Sequence, residues 1–341
     1  MSFFGVTKEK IKTISPIKDA DRIELASLEG MDFQFVIGKG QFTIGEECLY
    51  FPVDSLLPAP LIEKLGLTGK LAGKEMNRIK TVKLRGQISQ GIVSKTDLIP
   101  NDLKPEEITN YLGVTKYEPP EIICDNAKLL PLPDGLSAYD IESADRHVDV
   151  AQLLMDQEVV ITEKLEGTNF STFANSGEIM VNQHNKTIIP IGGDEHTFWK
   201  VAKRCRLTEF ALQLNKKYGK PAAVYGEMIG PGIQDNIYKL KEHEVRMFDI
   251  KVNFNWLPFE EFKKEVTEFY GAENMPEEHV VPILYVGKLR EFLNGSSIKV
   301  MSDGQSRLAA VNREGFVIKH PTLERLILKQ RSPAYLAKSK L

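Results

Sequence analysis

Five short segments beyond residue 158 place charged residues beside apolar runs, and this pattern restricts the fold more than any other feature of the chain. Lys164 follows one apolar run, and Glu227 follows another. Short apolar runs that border on polar residues are typical of buried β-strands. We therefore expect several buried strands that bring charged side chains together. The segments are residues 159–167, 222–227, 246–250, 314–319 and 326–331.

The last of these segments presents two cations in alternation. Lys329 and Arg331 are two residues apart in the sequence, so on a strand their side chains point to the same face. Two cations on one face can hold a phosphate group. We therefore expect this strand to border an anion site.

Lys164 is a candidate nucleophile. A lysine that attacks the α-phosphate of a nucleotide must first lose its proton, and burial or a nearby cation favours that loss. Gly167 would let the backbone approach a nucleotide without a Cβ atom in the way. A lysine, an acid and a glycine also occur together in exposed surface turns, so these residues alone are weak evidence. The ordered set of five segments is much stronger evidence.

Taken in order, the five segments resemble the motifs of the covalent nucleotidyltransferases, the superfamily that contains polynucleotide ligases and RNA capping enzymes. The resemblance implies a reaction in which Lys164 attacks the α-phosphate of ATP and retains AMP. The AMP then passes to an RNA 5′-phosphate, and an RNA 3′-hydroxyl displaces it to form the new phosphodiester bond. It also implies Mg²⁺ or Mn²⁺ as the metal cofactor.

The same resemblance implies roles for the charged and aromatic residues of these segments. Glu163 helps to define the base and ribose pocket, and Phe248 stacks on adenine. Lys329 and Arg331 neutralise the α-phosphate. The expected metal ligands are Glu227 and Glu314, with support from Glu166, and the expected nucleotide contacts also include Gly167 and His184.

Three positions depart from the family pattern. Glu166 stands where the family usually has aspartate, so its carboxylate must reach one methylene further. Arg331 stands where lysine is common, and a guanidinium can bind phosphate in two places. His184 stands where an arginine usually contacts the ribose, and its role stays open.

The region before these segments resembles the N-terminal OB domain of the Naegleria-type ATP-dependent RNA ligases, through residues 17–26, 48–58 and 83–91. Short apolar runs with glycine turns suit a small β-barrel. The expected fold class is α+β: an OB-type β-barrel (1–116), a proline-rich linker (117–145) and a nucleotidyltransferase domain of ATP-grasp-like antiparallel sheets with helices (146–341). Apolar spacing predicts two helices in that domain, around residues 198–205 and 259–270.

The formal net charge of −3 gives no general attraction for RNA, so we expect RNA binding to depend on local basic clusters. Basic residues outnumber acids six to one in residues 74–95, seven to one in 200–220 and six to one in 319–340. The middle cluster is equally well explained as a solvated surface. The first cluster alternates as in a strand, and OB domains bind nucleic acid on a strand face. The expected RNA contacts are Arg78, Lys80, Lys83, Arg85 and, from the last cluster, Lys319.

The cysteines and the N-terminus indicate a location inside the cell. Cys48, Cys124 and Cys205 are far apart and lack the spacing of metal ligands, so we expect them to be reduced. The N-terminus lacks a targeting signal, and no apolar run reaches membrane-spanning length. We expect a cytoplasmic monomer, without a membrane partner, that acts on RNA ends, including nicks in duplex RNA.

Two alternatives stay open at this point. One is a DNA ligase or a capping guanylyltransferase of the same superfamily. Only ten residues follow Arg331, and we expect no C-terminal OB domain of the kind that those enzymes use. The other alternative is a non-catalytic OB-fold protein that binds nucleic acid. Intact Lys164, Glu227, Glu314 and Lys329 argue against it.

Overall fold

The structure of this chain is a computed structural model, and it describes residues 4–118, 127–191, 196–273, 275–323, 326–336 and 338. Tertiary contacts group most of these residues into two compact units. One contains residues 4–118 and Glu142–Gln152, and the other contains residues 127–141 and the described part of Leu153–Tyr335. The first unit contains most of the predicted OB domain, and the second contains all five catalytic segments.

The first unit is mostly β-structure. Its elements are β1 (Thr7–Pro16), β2 (Ile23–Leu28), β3 (Gln34–Gly38), β4 (Glu47–Phe51), β5 (Ser55–Leu56), α1 (Ala59–Lys64), β6 (Val82–Leu84), β7 (Gln87–Ser89), β8 (Ile92–Ser94), α2 (Ile108–Tyr111) and β9 (Thr115–Lys116). Five strands form an antiparallel sheet in the order β3-β2-β1-β4-β8. Two further pairs join β5 to β9 and β6 to β7.

Hydrogen bonds connect the two ends of this strand order. The backbone N–H of Gln90, just before β8, donates to the carbonyl O of Gln34 in β3 at 2.9 Å. The backbone N–H of Val36 donates to Oγ of Ser89 at 3.0 Å. Because β3 and β8 are the outer strands, these bonds bring the sheet close to a closed barrel, as in an OB fold. The predicted β-barrel is confirmed.

Strand β4 shows why the sequence run at residues 48–51 is apolar throughout. Cys48 and Tyr50 point into one core with β2 and β3, and Leu49 and Phe51 point into a second core with the two helices. Successive side chains of a strand alternate between its faces. A strand that is covered on both faces therefore has no polar position.

The remaining elements, in chain order, complete the structure. They are β10 (Ala127–Pro131), β11 (Glu142–Ser143), α3 (Val148–Leu154), β12 (Glu158–Lys164), β13 (Thr168–Asn175), β14 (Glu178–Gln183), β15 (Lys186–Pro190), α4 (Thr197–Arg204), α5 (Leu207–Tyr218), β16 (Ala222–Ile229), β17 (Glu244–Val252), β18 (Asn255–Trp256), α6 (Phe259–Tyr270), β19 (Ile283–Lys288), α7 (Leu289–Leu293), α8 (Ile298–Ser302), β20 (Gly315–Lys319), β21 (Ile327–Arg331) and α9 (Pro333–Leu336).

The second unit contains two antiparallel sheets. The larger sheet has the strand order β10-β15-β14-β13-β16-β17-β18. In the other sheet β12 pairs with β19 on one side and with β20 on the other, and β20 pairs with β21. Helices α4, α5 and α6 share one apolar core with the strands of the larger sheet. The predicted α+β class is confirmed.

Both predicted helices of this unit are confirmed. Helix α4 buries Phe198 and Val201, and helix α6 buries Phe262 and Val266. These residues recur at three- and four-residue intervals, which place them on one face of a helix. Helix α6 ends at Gly271 with φ +66°, a conformation that glycine adopts without strain.

Part of the predicted linker lies in the second unit. Strand β10 falls inside the range 117–145 and pairs with β15, with Leu129 opposite Ile188. It is therefore the outer strand of the larger sheet. The proline pair Pro119 and Pro120, which suggested the linker, lies outside the described residues.

Two observations concern the expected location in the cell. In the described part of the chain, no helix combines the length and the apolar character that crossing a membrane requires. Cys48 and Cys205 are free cysteines. Cys124 lies outside the described residues.

Candidate active site

Three neighbouring strands carry predicted nucleotide-binding residues, and the strand pairing aligns these residues. Lys164 ends β12 and pairs with Gly315 of β20, which pairs with Arg331 of β21. Lys329 lies two residues before Arg331 and pairs with Val317. Alternate positions on paired strands share a face of the sheet. The register therefore places three cationic side chains on the same face, as predicted for Lys329 and Arg331.

Glu314 lies between two of these cations. Its Oε2 atom is 2.8 Å from Nζ of Lys164, and its Oε1 atom is 3.2 Å from Nε of Arg331. The Glu314 side chain is only 7% exposed. Cationic partners offset the cost of burying a carboxylate this deeply. The three residues form one cluster of opposite charges.

Lys329 lies beside this cluster in an environment that disfavours its charge. Burial and the positive charges of Lys164 and Arg331 lower the pKa of Lys329 to about 8. The negative charge of Glu314 acts in the opposite direction. Lys329 therefore carries a positive charge at neutral pH and loses it in mildly alkaline solution.

Glu227 belongs to the larger sheet. It lies on β16, where it pairs with Asn169 of β13. Burial raises the pKa of Glu227 to about 7, and the negative charge of Glu314 adds to the effect, whereas nearby cations, Lys164 first, oppose it. A carboxyl group in this state ionises readily when a further cation arrives.

The structure does not gather the three predicted metal ligands into one group. Among the described residues, no three side chains of His, Cys, Asp or Glu form a cluster that could hold a metal ion. The expected support of a metal by Glu166 stays a prediction, and the structure shows two hydrogen-bond partners of its carboxylate. Its Oε1 atom accepts a hydrogen bond from the backbone N–H of Asp235 (3.1 Å), and its Oε2 atom accepts one from the hydroxyl of Tyr335 (2.6 Å).

Glu166 therefore acts as a structural carboxylate in this arrangement. It is 1% exposed, and burial raises its pKa. Its backbone N–H donates to the hydroxyl of Tyr238 at 2.7 Å. These bonds fix the turn that follows Lys164, so Glu166 contributes to the site by holding that turn.

The packing around Gly167 gives a further reason for glycine at this position. A Cβ atom on Gly167 would lie 2.6 Å from both Cγ of Glu227 and the carbonyl O of Met228. Close packing of the turn against β16 therefore requires glycine. Gly315 has φ +152°, and a Cβ atom there would overlap the backbone O of Gln330, so glycine is also required beside Glu314.

A cavity of about 210 Å³ adjoins these residues in the second unit. Lys164, Glu227 and Lys329 contribute polar atoms to its wall, and apolar side chains from both sheets and from α6 form most of the rest. Phe248, which was predicted to stack on adenine, is part of the wall, and its ring centroid lies 4.6 Å from that of Tyr139. The cavity thus combines a charged region with an apolar interior.

Glu163 also lines the cavity. Its Oε2 atom accepts a hydrogen bond from the backbone N–H of Arg307 at 2.8 Å, and burial raises its pKa. Within the described residues, its buried Oε1 atom has no hydrogen-bond partner. Buried acceptors are nearly always hydrogen-bonded in proteins. A ligand with a donor group would satisfy this atom.

Lys319 is not on the surface as an RNA contact would be. Its ammonium group pairs with Oδ1 of Asp249, which is 2% exposed, and the hydroxyl of Tyr139 donates to Oδ2. Lys319 pairs with Val160, four residues before Lys164, which corresponds to roughly 13 Å along the strand. Lys319 therefore lies in the cavity wall, and its contact with RNA stays a prediction.

His184 follows β14 and forms a pair with a residue from the predicted linker. Its Nε2 atom lies 3.3 Å from Oδ1 of Asp140. Asp140 lines the cavity, and the charge of His184 contributes to the pKa of Glu227. The structure therefore places His184 beside the charged region.

The four cations predicted on one strand of the first unit do not share a strand. The strand there is limited to Val82–Leu84, which carries Lys83. Arg85 lies in the following hairpin turn with φ +48°, and Lys80 precedes the strand. The predicted strand is wrong because regular strand pairing begins only at Val82 and ends before the turn at Arg85. Lys83 and Arg85 are both exposed.

Arg78 has two side-chain partners within the first unit. Its Nη2 atom lies 2.6 Å from Oδ1 of Asp54, and its guanidinium lies 3.5 Å from the ring centroid of Tyr117. The Arg78 side chain is 15% exposed. The ion pair and the cation–π contact occupy the guanidinium that was predicted to bind RNA.

Sequence reasoning assigned no role to Tyr139, Asp140 or Asp249, which all take part in this site. The sequence could have indicated a role for Asp249, because a charged residue inside a buried strand needs a partner. Tyr139 and Asp140 had no such signal, since they follow a proline-rich stretch that lacks periodicity.

Comparisons with known proteins agree with this site. The sequence profile of the RNA ligase family matches residues 157–334, and an OB-fold domain profile matches residues 5–96. The first match spans just over half of the chain and includes Lys164, Glu227 and Arg331. The chain therefore belongs to the RNA ligase family. No curated protein sequence matches it.

Solved structures of Naegleria gruberi RNA ligase are similar over nearly the whole chain. A variant with ATP and manganese is 27% identical with a TM-score of 0.81, over 97% of this chain and 98% of that chain. An apo variant is 28% identical with a TM-score of 0.83, over 98% of both chains. The enzyme with pyrophosphate is 29% identical with a TM-score of 0.81, over 97% of both chains. The predicted RNA ligase with an OB domain is confirmed, and the two alternatives are not favoured.

Proposed function

We propose that this chain is an ATP-dependent RNA ligase in which Lys164 is the residue that receives AMP. One observation carries the proposal: the Lys164 amine reaches the wall of a cavity beside Glu314, with Lys329 and Arg331 on the same sheet face. The similar Naegleria enzyme holds ATP in one structure and pyrophosphate in another. These molecules are a substrate and a product of lysine adenylylation.

The cavity wall, together with His184 and Arg331 beside it, supplies a matching contact for each part of ATP. Phe248 offers a ring face for the base, and the unpaired Oε1 atom of Glu163 accepts a hydrogen bond from an amino group of the base. Lys329 and Arg331 neutralise the α-phosphate. His184 contacts the ribose, in place of the arginine that the family usually has there.

In the first step Nζ of Lys164 attacks the α-phosphate in line and pyrophosphate leaves. The amine must be neutral to attack, and Oε2 of Glu314, at 2.8 Å, is the nearest acceptor for its proton. The cations on β21 stabilise the charge that develops on the phosphate oxygens. Because the strand register fixes all of these groups before ATP arrives, little reorganisation is needed.

In the second and third steps the same groups act on a new partner. The RNA 5′-phosphate attacks the lysyl-AMP phosphorus, Lys164 leaves, and AMP becomes attached to the RNA. The RNA 3′-hydroxyl then attacks the 5′-phosphate and AMP leaves. Arg331 and Lys329 remain in place to neutralise charge in both steps.

The residues present fit a divalent metal. Mg²⁺ usually takes one or two protein carboxylates and completes its shell with phosphates and water, and Glu227 and Glu314 provide that number. Burial raises the pKa of Glu227, and a divalent cation beside its carboxyl would favour the ionised form. Mg²⁺ or Mn²⁺ would supply charge neutralisation at the phosphates. Glu166 would support this arrangement only through the turn that it holds.

The first unit is proposed to bind RNA. Lys83 and Arg85 are exposed on the β6–β7 hairpin, where basic side chains can meet phosphates; Lys80 lies close by in sequence. We propose residues 1–116 as the RNA-binding domain and 146–341 as the adenylation domain, with β10 added to the second. A monomer that acts in the cytoplasm on nicked duplex RNA completes the proposal.

A sealing assay tests this function. The substrates are a duplex RNA with one nick that carries a 5′-phosphate, the same nick in DNA, and a single-stranded RNA. We expect ATP-dependent sealing of the RNA nick by the wild-type chain and none by the Lys164→Ala variant. Preferential sealing of the DNA nick, or sealing that survives in the variant, would contradict the proposal.

A further inference from the structure

We infer that residues 139–141 form a wall of the nucleotide site in which Tyr139 and Asp140 are positioning residues. The inference rests on the proposed function, because it assumes that ATP occupies the cavity. All three residues of the segment line that cavity. None of them belongs to the five charged segments that identify the catalytic unit.

Tyr139 acts through a buried carboxylate. Its hydroxyl donates to Oδ2 of Asp249, and Oδ1 of the same carboxylate pairs with Nζ of Lys319. Asp249 is 2% exposed, so it has little opportunity to bind water in place of these partners. A carboxylate with a fixed partner on each oxygen has a fixed orientation. Tyr139 therefore sets where the Lys319 ammonium lies in the cavity wall.

The ring of Tyr139 also positions the aromatic side chain proposed to stack on the base. Its centroid lies 4.6 Å from that of Phe248, 5.1 Å from that of Trp256 and 5.7 Å from that of Tyr225. Aromatic rings at these separations pack with defined mutual orientations. The hydroxyl and the ring of Tyr139 therefore both act on the base side of the site.

Asp140 acts on the charged side of the site. Its Oδ1 atom lies 3.3 Å from Nε2 of His184, and its carboxyl is 23% exposed. A carboxylate next to one imidazole nitrogen fixes the orientation of the ring and the tautomer that it adopts. Asp140 therefore determines which ring nitrogen His184 presents to the nucleotide.

Adjacent residues of one short segment thus control two different contacts of ATP. If Tyr139 and Asp140 act only on positioning, their loss weakens ATP binding more than it slows the chemical step, because neither touches the reacting atoms. A purely structural role would instead lower the amount of active protein and leave the ATP dependence unchanged.

The test measures the rate of lysyl-AMP formation against ATP concentration in the full chain. We expect Tyr139→Phe to raise the half-saturating ATP concentration about 3- to 10-fold, the usual effect of one lost hydrogen bond. Asp140→Asn should raise it about 2- to 5-fold, because its pair with His184 is partly exposed. The maximal rate should stay within about twofold in both variants.

A matched control separates positioning from folding. Tyr218 also donates its hydroxyl to a buried carboxylate, Glu265, at 2.8 Å, but it does not line the cavity. Tyr218→Phe should leave the half-saturating ATP concentration unchanged. If Tyr218→Phe raises the half-saturating ATP concentration as much as Tyr139→Phe does, the inference is overturned.

Double variants supply a second test. Asp140→Asn should have a smaller effect on ATP dependence in a His184→Gln background than in the wild type, although its charge also acts on Lys329. Tyr139→Phe should have no further effect in a Lys319→Met background, because Tyr139 acts through that partner. Additive effects would overturn the inference.

If the wild-type chain forms no lysyl-AMP, the proposed function and the inference both fail. If the wild type reacts and both single variants match its ATP dependence, the inference alone fails.

Discussion

The Nζ atom of Lys164 lies 2.8 Å from Oε2 of Glu314, although the two residues are 150 positions apart in the sequence. Their strands are neighbours in one sheet, and the pairing of Lys164 with Gly315 brings the residue before Gly315 to the nucleophile. The other oxygen of Glu314 faces Arg331. This carboxylate therefore links the nucleophile to the cations that are proposed to hold phosphate.

Replacing Glu314 tests that link. Glu314→Gln keeps the shape of the side chain but removes the charge that orients Lys164 and holds Arg331, so we expect lysyl-AMP formation to slow by about 100-fold or more. Glu178→Gln is the matched control, since Glu178 is an exposed strand residue of the same unit. A Glu314→Gln rate within about threefold of the wild-type rate would contradict the assignment.

The rate at low ATP concentration should be highest in a narrow pH range. The carboxyl of Glu227 has a raised pKa of about 7, so it gains its negative charge as the pH rises through 7. Lys329 has a lowered pKa of about 8, so it loses its positive charge as the pH rises through 8. Because the proposed reaction needs both charges, kcat/KM should be highest between these values and fall on both sides.

The Lys329→Arg variant separates the two limbs of this profile. Arginine stays protonated at every pH in the range. The fall in kcat/KM on the alkaline side should therefore move to higher pH or disappear, while the fall on the acid side stays at the same pH. Single-turnover measurements from pH 5 to pH 10 would give both limbs. An unchanged alkaline limb would show that Lys329 is not the group responsible for it.

Tyr335 should support both stability and catalysis through Glu166. Tyr335→Phe removes the hydrogen bond to a buried carboxylate, and we expect a loss of about 1–3 kcal/mol in unfolding free energy together with slower lysyl-AMP formation. Tyr270→Phe is the matched control, because it loses a hydrogen bond to the backbone O of Cys205 instead. That control should lose stability only. Equal catalytic losses in both variants would contradict the role of Glu166.

A second ion-pair network should affect stability without affecting catalysis. Glu265 of α6 is 5% exposed, and its Oε1 atom lies 2.7 Å from Nζ of Lys217 in α5. Glu265→Gln removes this ion pair and should lower the unfolding free energy by about 1–3 kcal/mol, measured by denaturant unfolding. The loss stays in this range because the Lys217 side chain is 38% exposed and can return to water. Lys216→Ala, at the exposed neighbouring lysine, should have no effect. An unchanged denaturation midpoint for Glu265→Gln would contradict the prediction.

The sequence was sufficient to predict the catalytic strands. Lys164, Glu227 and Lys329 each lie in or next to a short apolar run, and a buried strand is the simplest structure for such a run. The two-residue spacing of Lys329 and Arg331 correctly predicted that both side chains lie on the same face of a strand. The apolar spacing in α6 was equally informative, and its residues Phe259 and Phe262 are buried.

Other features depended on contacts that no local pattern records. Arg78 looked like part of a basic strand, but its partner Asp54 is 24 positions away. The sequence predicted Glu166 beside a metal, and only the structure shows that Tyr335, 169 positions away, also reaches its carboxylate. Tyr139 sits in a segment without periodicity, and only its pairing with Asp249 shows its place in the site. Long-range partners decide such roles, and pattern reasoning does not contain them.

The central claim is that Lys164 becomes covalently attached to AMP. Its most direct test is to incubate the chain with Mg²⁺ and ATP radiolabelled at the α-phosphate, denature the protein, and identify the labelled peptide by mass spectrometry. We predict a label on the peptide that contains Lys164, absent from the Lys164→Ala variant and retained in Lys216→Ala. GTP labelled in the same position should give no signal. No label from ATP, or a label that persists in Lys164→Ala, would contradict the claim.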